Sequence, residues 1–108
     1  LVIAFLDRQI RALCEDPVIS ATKFGVAISK NLQTRLADIS AVENLTELPP
    51  ENQGQAGNED HSIYILDLGE GYGLVFCSNH IKNKPKNSFG NIDWNRVTRI
   101  KILKIEKI

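Results

Sequence analysis

Phe24, Ile28, Leu32, Leu36 and Ile39 recur at intervals of four, four, four and three residues. That spacing lays them along one stripe of a helix running from Pro17 to about Val42, with Lys23, Lys30, Gln33 and Asp38 largely outside the stripe. A helix that is apolar on one side needs a second layer to cover it, and the later chain supplies one. "SIYILDL" and "YGLVFCSN" read as strands joined through Gly69-Glu70-Gly71, where glycine provides the turn geometry. "RVTRIKILKIEKI" reads as a last strand, with Ile100 and Ile102 on one face and Arg99 and Lys101 on the other.

The rest of the chain fits around that pairing of layers. "LVIAF" (1–5) predicts a buried opening strand. Asp7 can cap a short helix whose inward face is Ile10, Leu13 and Cys14, and Asp16-Pro17 is the pairing expected at the start of the longer helix. Pro49-Pro50 bars helix and central strand alike, and the polar "ENQGQAGNED" (51–60) predicts a loop. The expectation is an α+β fold: an N-terminal strand, then two helices packed on one face of a small antiparallel sheet. The sheet face that carries Arg99 and Lys101 is left for function.

A chain of 108 residues has room for one core, so residues 1–108 are expected to form a single domain. Two cysteines are too few for a disulfide framework, which predicts a reducing, cytoplasmic setting. The apolar run "LVIAFL" is too short to span a bilayer, so no membrane partner is expected. The formal charge is zero but unevenly spread: residues 81–108 carry eight Lys/Arg against Asp93 and Glu106. A basic segment on a neutral chain suits a phosphate backbone or an acidic protein, and equally an edge strand guarded by lysines.

Several residues invite chemistry. His61 enters the first hairpin strand beside Glu59 and Asp60, which would favour its charged form and make it a better acid than base. It can equally be a loop-end histidine bonded to those carboxylates. Tyr64 can stack on a base or pack in the core. Lys82, Lys84 and Lys86 can grip phosphates or stay solvated, and Trp94 with Phe89 predicts an anchor for the connection before the last strand. Cys77-x-x-His80 has a metal-like spacing without a second pair, so no metal or other cofactor is expected.

The segment "RALCEDPVISATKFGVAISKNLQTRLADISAVENLTELP", the hairpin "HSIYILDLGEGYGLVF" and the closing "DWNRVTRIKILKIEKI" together resemble the HigB-like killer proteins of the RelE/ParE toxin superfamily, in order and spacing, over nearly the whole chain. The resemblance implies a toxin–antitoxin system toxin that cuts mRNA in the ribosome without metal and is silenced by a helix-turn-helix antitoxin. His61 falls where these toxins place a catalytic histidine or tyrosine, while Arg99, Lys101, Tyr64, Lys82, Lys84 and Lys86 are the candidate RNA contacts. The sequence departs from the family at three places. The basic loop before the hairpin is here "GNED", the arginine of the second hairpin strand is Gly73, and the Asp/Tyr/His tail that usually follows the last strand falls beyond Ile108. Those departures keep open two alternatives on the same fold: a non-catalytic module that binds an antitoxin or DNA, and a gyrase-directed toxin.

Overall fold

Asp7 stands in an extended conformation and its Oδ1 accepts the Ile10 N–H at 2.8 Å, which starts helix α1 (Arg8–Glu15). Asp16 repeats the device one helix later, accepting from Val18 N at 2.9 Å with Pro17 in the first turn of α2 (Pro17–Phe24). At Gly25 the backbone takes φ 93° and ψ 161°, a region only glycine enters without strain, and a third helix, α3 (Val26–Ala41), begins beyond it. The continuous helix expected from Pro17 to Val42 is therefore two helices. The apolar spacing carries across the junction, which is why periodicity alone did not reveal it. The buried Ser20 and Ser29 hydroxyls meet at 2.5 Å, and Ser29 also donates to Pro17 O at 3.1 Å, fastening α2 against α3.

The protein is described by a computed structural model over residues 1–49, 53–57, 62–80 and 84–108. Its fold is α+β, with the three helices and a five-stranded mixed sheet in the order β1-β5-β4-β3-β2. Strands β3 (Ile63–Gly69), β4 (Tyr72–Ser78) and β5 (Arg99–Lys107) form an antiparallel meander. Two of its neighbours differ from expectation. Strand β1 (Val2–Phe5) pairs parallel to β5, so the sheet is mixed and β1 is a part-exposed edge rather than a buried strand. Gln55–Gly57, expected within a loop, is β2, which pairs with β3 at the other edge.

The core lies between the helices and one face of this sheet. Ile28, Leu32 and Ile39 of α3 are fully buried against Leu66, Leu68, Leu74, Phe76, Ile100 and Ile102. Burial of side chains of this size is worth about 1.5–3 kcal/mol each, so this contact is the main stabilising element. Two polar ties fix its alignment: Asn31 Nδ2 donates to Leu68 O at 2.8 Å, and Gln33 Nε2 donates to Cys14 O at 2.8 Å at the end of α1. Cys14 is the buried apolar residue the sequence suggested, and burial, with a smaller contribution from Glu15, pushes its thiol up to about 12.

Two outcomes follow. Gly25 has open space where a Cβ would stand, so Gly25→Ala isolates the backbone term. It should lower the unfolding free energy by about 1–3 kcal/mol in urea titrations, with no change in slope. For Cys14, the folded thiol holds its proton to a higher pH than the unfolded thiol, whose ordinary value is 9.0. Its contribution to stability is complete below pH 9 and is lost as pH rises toward 12. The wild-type protein should therefore lose stability more steeply than Cys14→Val above pH 9, by up to about 1.4 kcal/mol per pH unit.

Candidate nucleic-acid interface

The sheet's second face follows from register. Ile63, Cys77, Lys101 and Ala4 line up as one row across β3, β4, β5 and β1. Arg99 lies two residues further toward the start of β5, where its carbonyl accepts from Asn79 N at 2.8 Å. At the opposite end of the face, Asp67, Gly73 and Glu106 form a second row. The face thus runs from a basic end to an acidic one. Lys104, between them, pairs with Glu106 at 2.9 Å. Among the described residues, Arg99, Lys101, Lys84 and Lys86 make no ion pair.

Between these rows the face is apolar. Val75 lies opposite Ile65, away from the helix-facing core, and is nonetheless fully buried. Gly73 is covered: a Cβ built there would stand 2.8 Å from Ile65 Cγ2 and 3.4 Å from the Ile108 side chain. Where the resemblance leads one to look for an arginine, the surface is closed by two isoleucines.

The connection from 84 to 98, which leads into β5, is fastened to the core. Trp94 is buried, with ring centroids 5.1 Å from Tyr64 and 5.8 Å from Phe76, and Val97 beside it is fully buried. Asp93 caps the 3-10 turn Trp94–Arg96, its Oδ1 accepting from Asn95 N at 3.2 Å. Arg96 is held twice, by Asp93 Oδ2 at 2.9 Å and by the Lys86 carbonyl at 2.6 Å. His80 Nε2 accepts the Thr98 N–H at 3.1 Å, so that nitrogen is engaged in joining the end of β4 to the approach to β5. Lys84 and Lys86 are both exposed along this connection.

The sequence-derived candidates divide accordingly. Arg99 and Lys101 share the face opposite the core, and the connection joined to their strand carries Lys84 and Lys86. Tyr64 is a correction. It faces the core at 7 % exposure, its ring centroid is 5.4 Å from that of Phe76, and its hydroxyl accepts from Gly54 N at 3.1 Å. With apolar residues on both faces of "IYIL", alternation could not tell which side pointed inward. His61 and Lys82 lie outside the described residues. The expected partnership of Phe89 with Trp94 also fails: Trp94 helps anchor the connection, but Phe89 is 87 % exposed. The described residues contain no cluster able to hold a metal ion and no helix long and apolar enough to cross a membrane.

No protein-family model, curated protein or solved structure matches the chain.

The closed surface at Gly73 can be measured. Gly73→Ala should cost about 1–3 kcal/mol because the new methyl overlaps Ile65. Combining it with Ile65→Ala should recover part of that loss in a double-mutant cycle, whereas additive effects would mean that the two positions do not touch.

Proposed function

We propose that this chain is a toxin of the HigB-like, RelE/ParE type, cutting mRNA in the ribosome and restrained by a helix-turn-helix antitoxin. The observation that carries the reading is the cationic end of the second face, where Arg99 and Lys101 stand at the start of β5, the strand into which the connection bearing exposed Lys84 and Lys86 leads. Cations that make no ion pair among the described residues suit a polyphosphate ligand. The order of elements, a strand, then helices, then strands that form an antiparallel meander, supports this reading.

The reaction needs little from the protein. The RNA 2′-oxygen attacks the adjacent phosphorus and gives its proton to a base. The P–O5′ bond breaks as an acid protonates the leaving oxygen, leaving a 2′,3′-cyclic phosphate and a 5′-hydroxyl. The charge that builds on the phosphoryl oxygens is what Arg99 and Lys101 would offset. His61 is assigned as the acid, a role that its carboxylate neighbours in sequence, Glu59 and Asp60, favour.

A second reading, a non-catalytic binding module, draws on the covered position 73. One experiment separates the two. Protein added to translating ribosomes should produce new mRNA 5′ ends, and His61→Ala should slow their appearance by about 10²–10⁴-fold. In parallel, Arg99→Ala and Lys101→Ala should each reduce the salt slope for binding single-stranded RNA by about 0.7. RNA binding with intact messages selects the binding module. Failure to bind RNA at all removes the nucleic-acid reading, and DNA breaks with intact messages would redirect it to gyrase.

A further inference from the structure

Phe89 stands apart from every other aromatic residue of the chain. Tyr64, Phe76 and Trp94 pack together, Phe24 packs on Tyr72, and Phe5 lies under Arg11. Phe89 has no ring partner among the described residues and is 87 % exposed. Water does not favour a bare phenyl ring, and this one is held out by a braced turn. Asn87 N donates to Asn91 O at 2.9 Å and Gly90 N donates to Asn87 O at 3.0 Å. The Asn87 side-chain oxygen accepts from Phe89 N at 2.9 Å and from Asn91 N at 3.2 Å. Lys86 and Ile92 pair across the base of the turn, and Asp93 N donates to Pro85 O at 3.0 Å just below it. Arg96 grips the same base through the Lys86 carbonyl, and the buried Trp94 ties the whole arm to the core.

We propose that this arm is a stacking platform: Phe89 lies against an unpaired base of the RNA while Lys84 and Lys86 hold the flanking phosphates. The inference rests on the RNA-directed reading above and adds to it the element that contacts the base. Its logic is chemical complementarity. Unpaired nucleotides present an aromatic face next to an anionic backbone, and the arm carries an exposed aromatic ring and two exposed lysines on one short braced segment. A bilayer is a poorer match, because the ring's neighbours Asn87, Ser88 and Asn91 are polar and a single phenyl ring buries little area. An apolar protein groove would leave the lysines at its rim without a role. Bracing the turn beforehand also removes the ordering cost that a slack loop would incur on binding.

The test uses an unpaired oligoribonucleotide of about a dozen residues, long enough for one such site, and its abasic counterpart. Wild type should bind the first about tenfold more tightly than the second, and Phe89→Ala should erase that preference. Phe89→Trp should keep it, with indole emission quenched as RNA is added; buried Trp94 supplies a constant background. Because the side chain is exposed, these variants should keep the circular dichroism of the parent. If wild type binds RNA and Phe89→Ala binds both oligonucleotides equally well as wild type, the platform is refuted and the RNA-directed reading survives. If wild type binds no RNA, both fall. Quenching of Phe89→Trp by anionic phosphatidylglycerol vesicles but not by RNA also overturns the platform.

Discussion

One additional residue in β5 decides which side chains the sheet hides and which it displays. Ile102 lies opposite Phe76, but the next pairing along β4, at Val75, falls to Lys104, so Leu103 is inserted in the ladder. Strict alternation from Ile100 and Ile102 would have turned Lys104 into the core and Ile105 outward. The irregularity shifts the phase: Lys104 is exposed, and Ile105, opposite Leu74, packs against the core. An uncompensated lysine in that interior would cost several kcal/mol, which is why the sequence tolerates a local break in hydrogen bonding there. This register places Lys104 on the second face with Arg99 and Lys101 while Ile100, Ile102 and Ile105 seal the other, and it leaves Lys107 on the helix side over the Tyr72 ring.

The aromatic group of Tyr64, Phe76 and Trp94 transmits that order to the connection before β5. Three rings from three separate stretches of chain meet with centroid spacings between 5.1 and 5.8 Å. Trp94 enters this group from a segment rich in Asn and Lys. With the indole buried, the Asp93 cap, the double grip of Arg96 and the pairing of Lys86 with Ile92 are held next to the sheet. A loop that looks like a solvated linker in composition is in this way a braced segment anchored in the core.

What the sequence made legible were features with a local cause. The Asp7 and Asp16 caps, the apolar stripe of α3, the hairpin through Gly69-Glu70-Gly71 and the outward placement of Arg99 and Lys101 all depend on residues near one another. What stayed hidden depends on distant partners or on backbone angles. Gly25 reads as a weak spot in a helix, and only its φ of 93° makes it a break. The parallel pairing of β1 with β5 joins opposite ends of the chain, and the three residues of β2 are strand only because β3 offers an edge. Alternation does not orient Tyr64, whose strand is apolar on both sides, and Phe89 is near Trp94 in sequence while the braced turn at Asn87 leaves it exposed.

The second face also constrains what kind of recognition is available to it. From Ile63 through Ile65 and Val75 it is apolar, flanked by Arg99 and Lys101, and closed over Gly73 by Ile65 and Ile108. Reading the edges of bases takes fixed donors and acceptors, such as amide side chains or a guanidinium locked in place by a carboxylate, and Arg99 has no such carboxylate among the described residues. The described part of this face offers charge and apolar contact instead. Both are indifferent to base identity, since every nucleotide has a phosphate and every base a π-face. Under the proposed function, then, the described part of this face grips RNA without selecting where it is cut. Selection would fall to whatever positions the message, and for an enzyme acting in the ribosome that is the decoding site, which already holds a defined codon single-stranded and stationary.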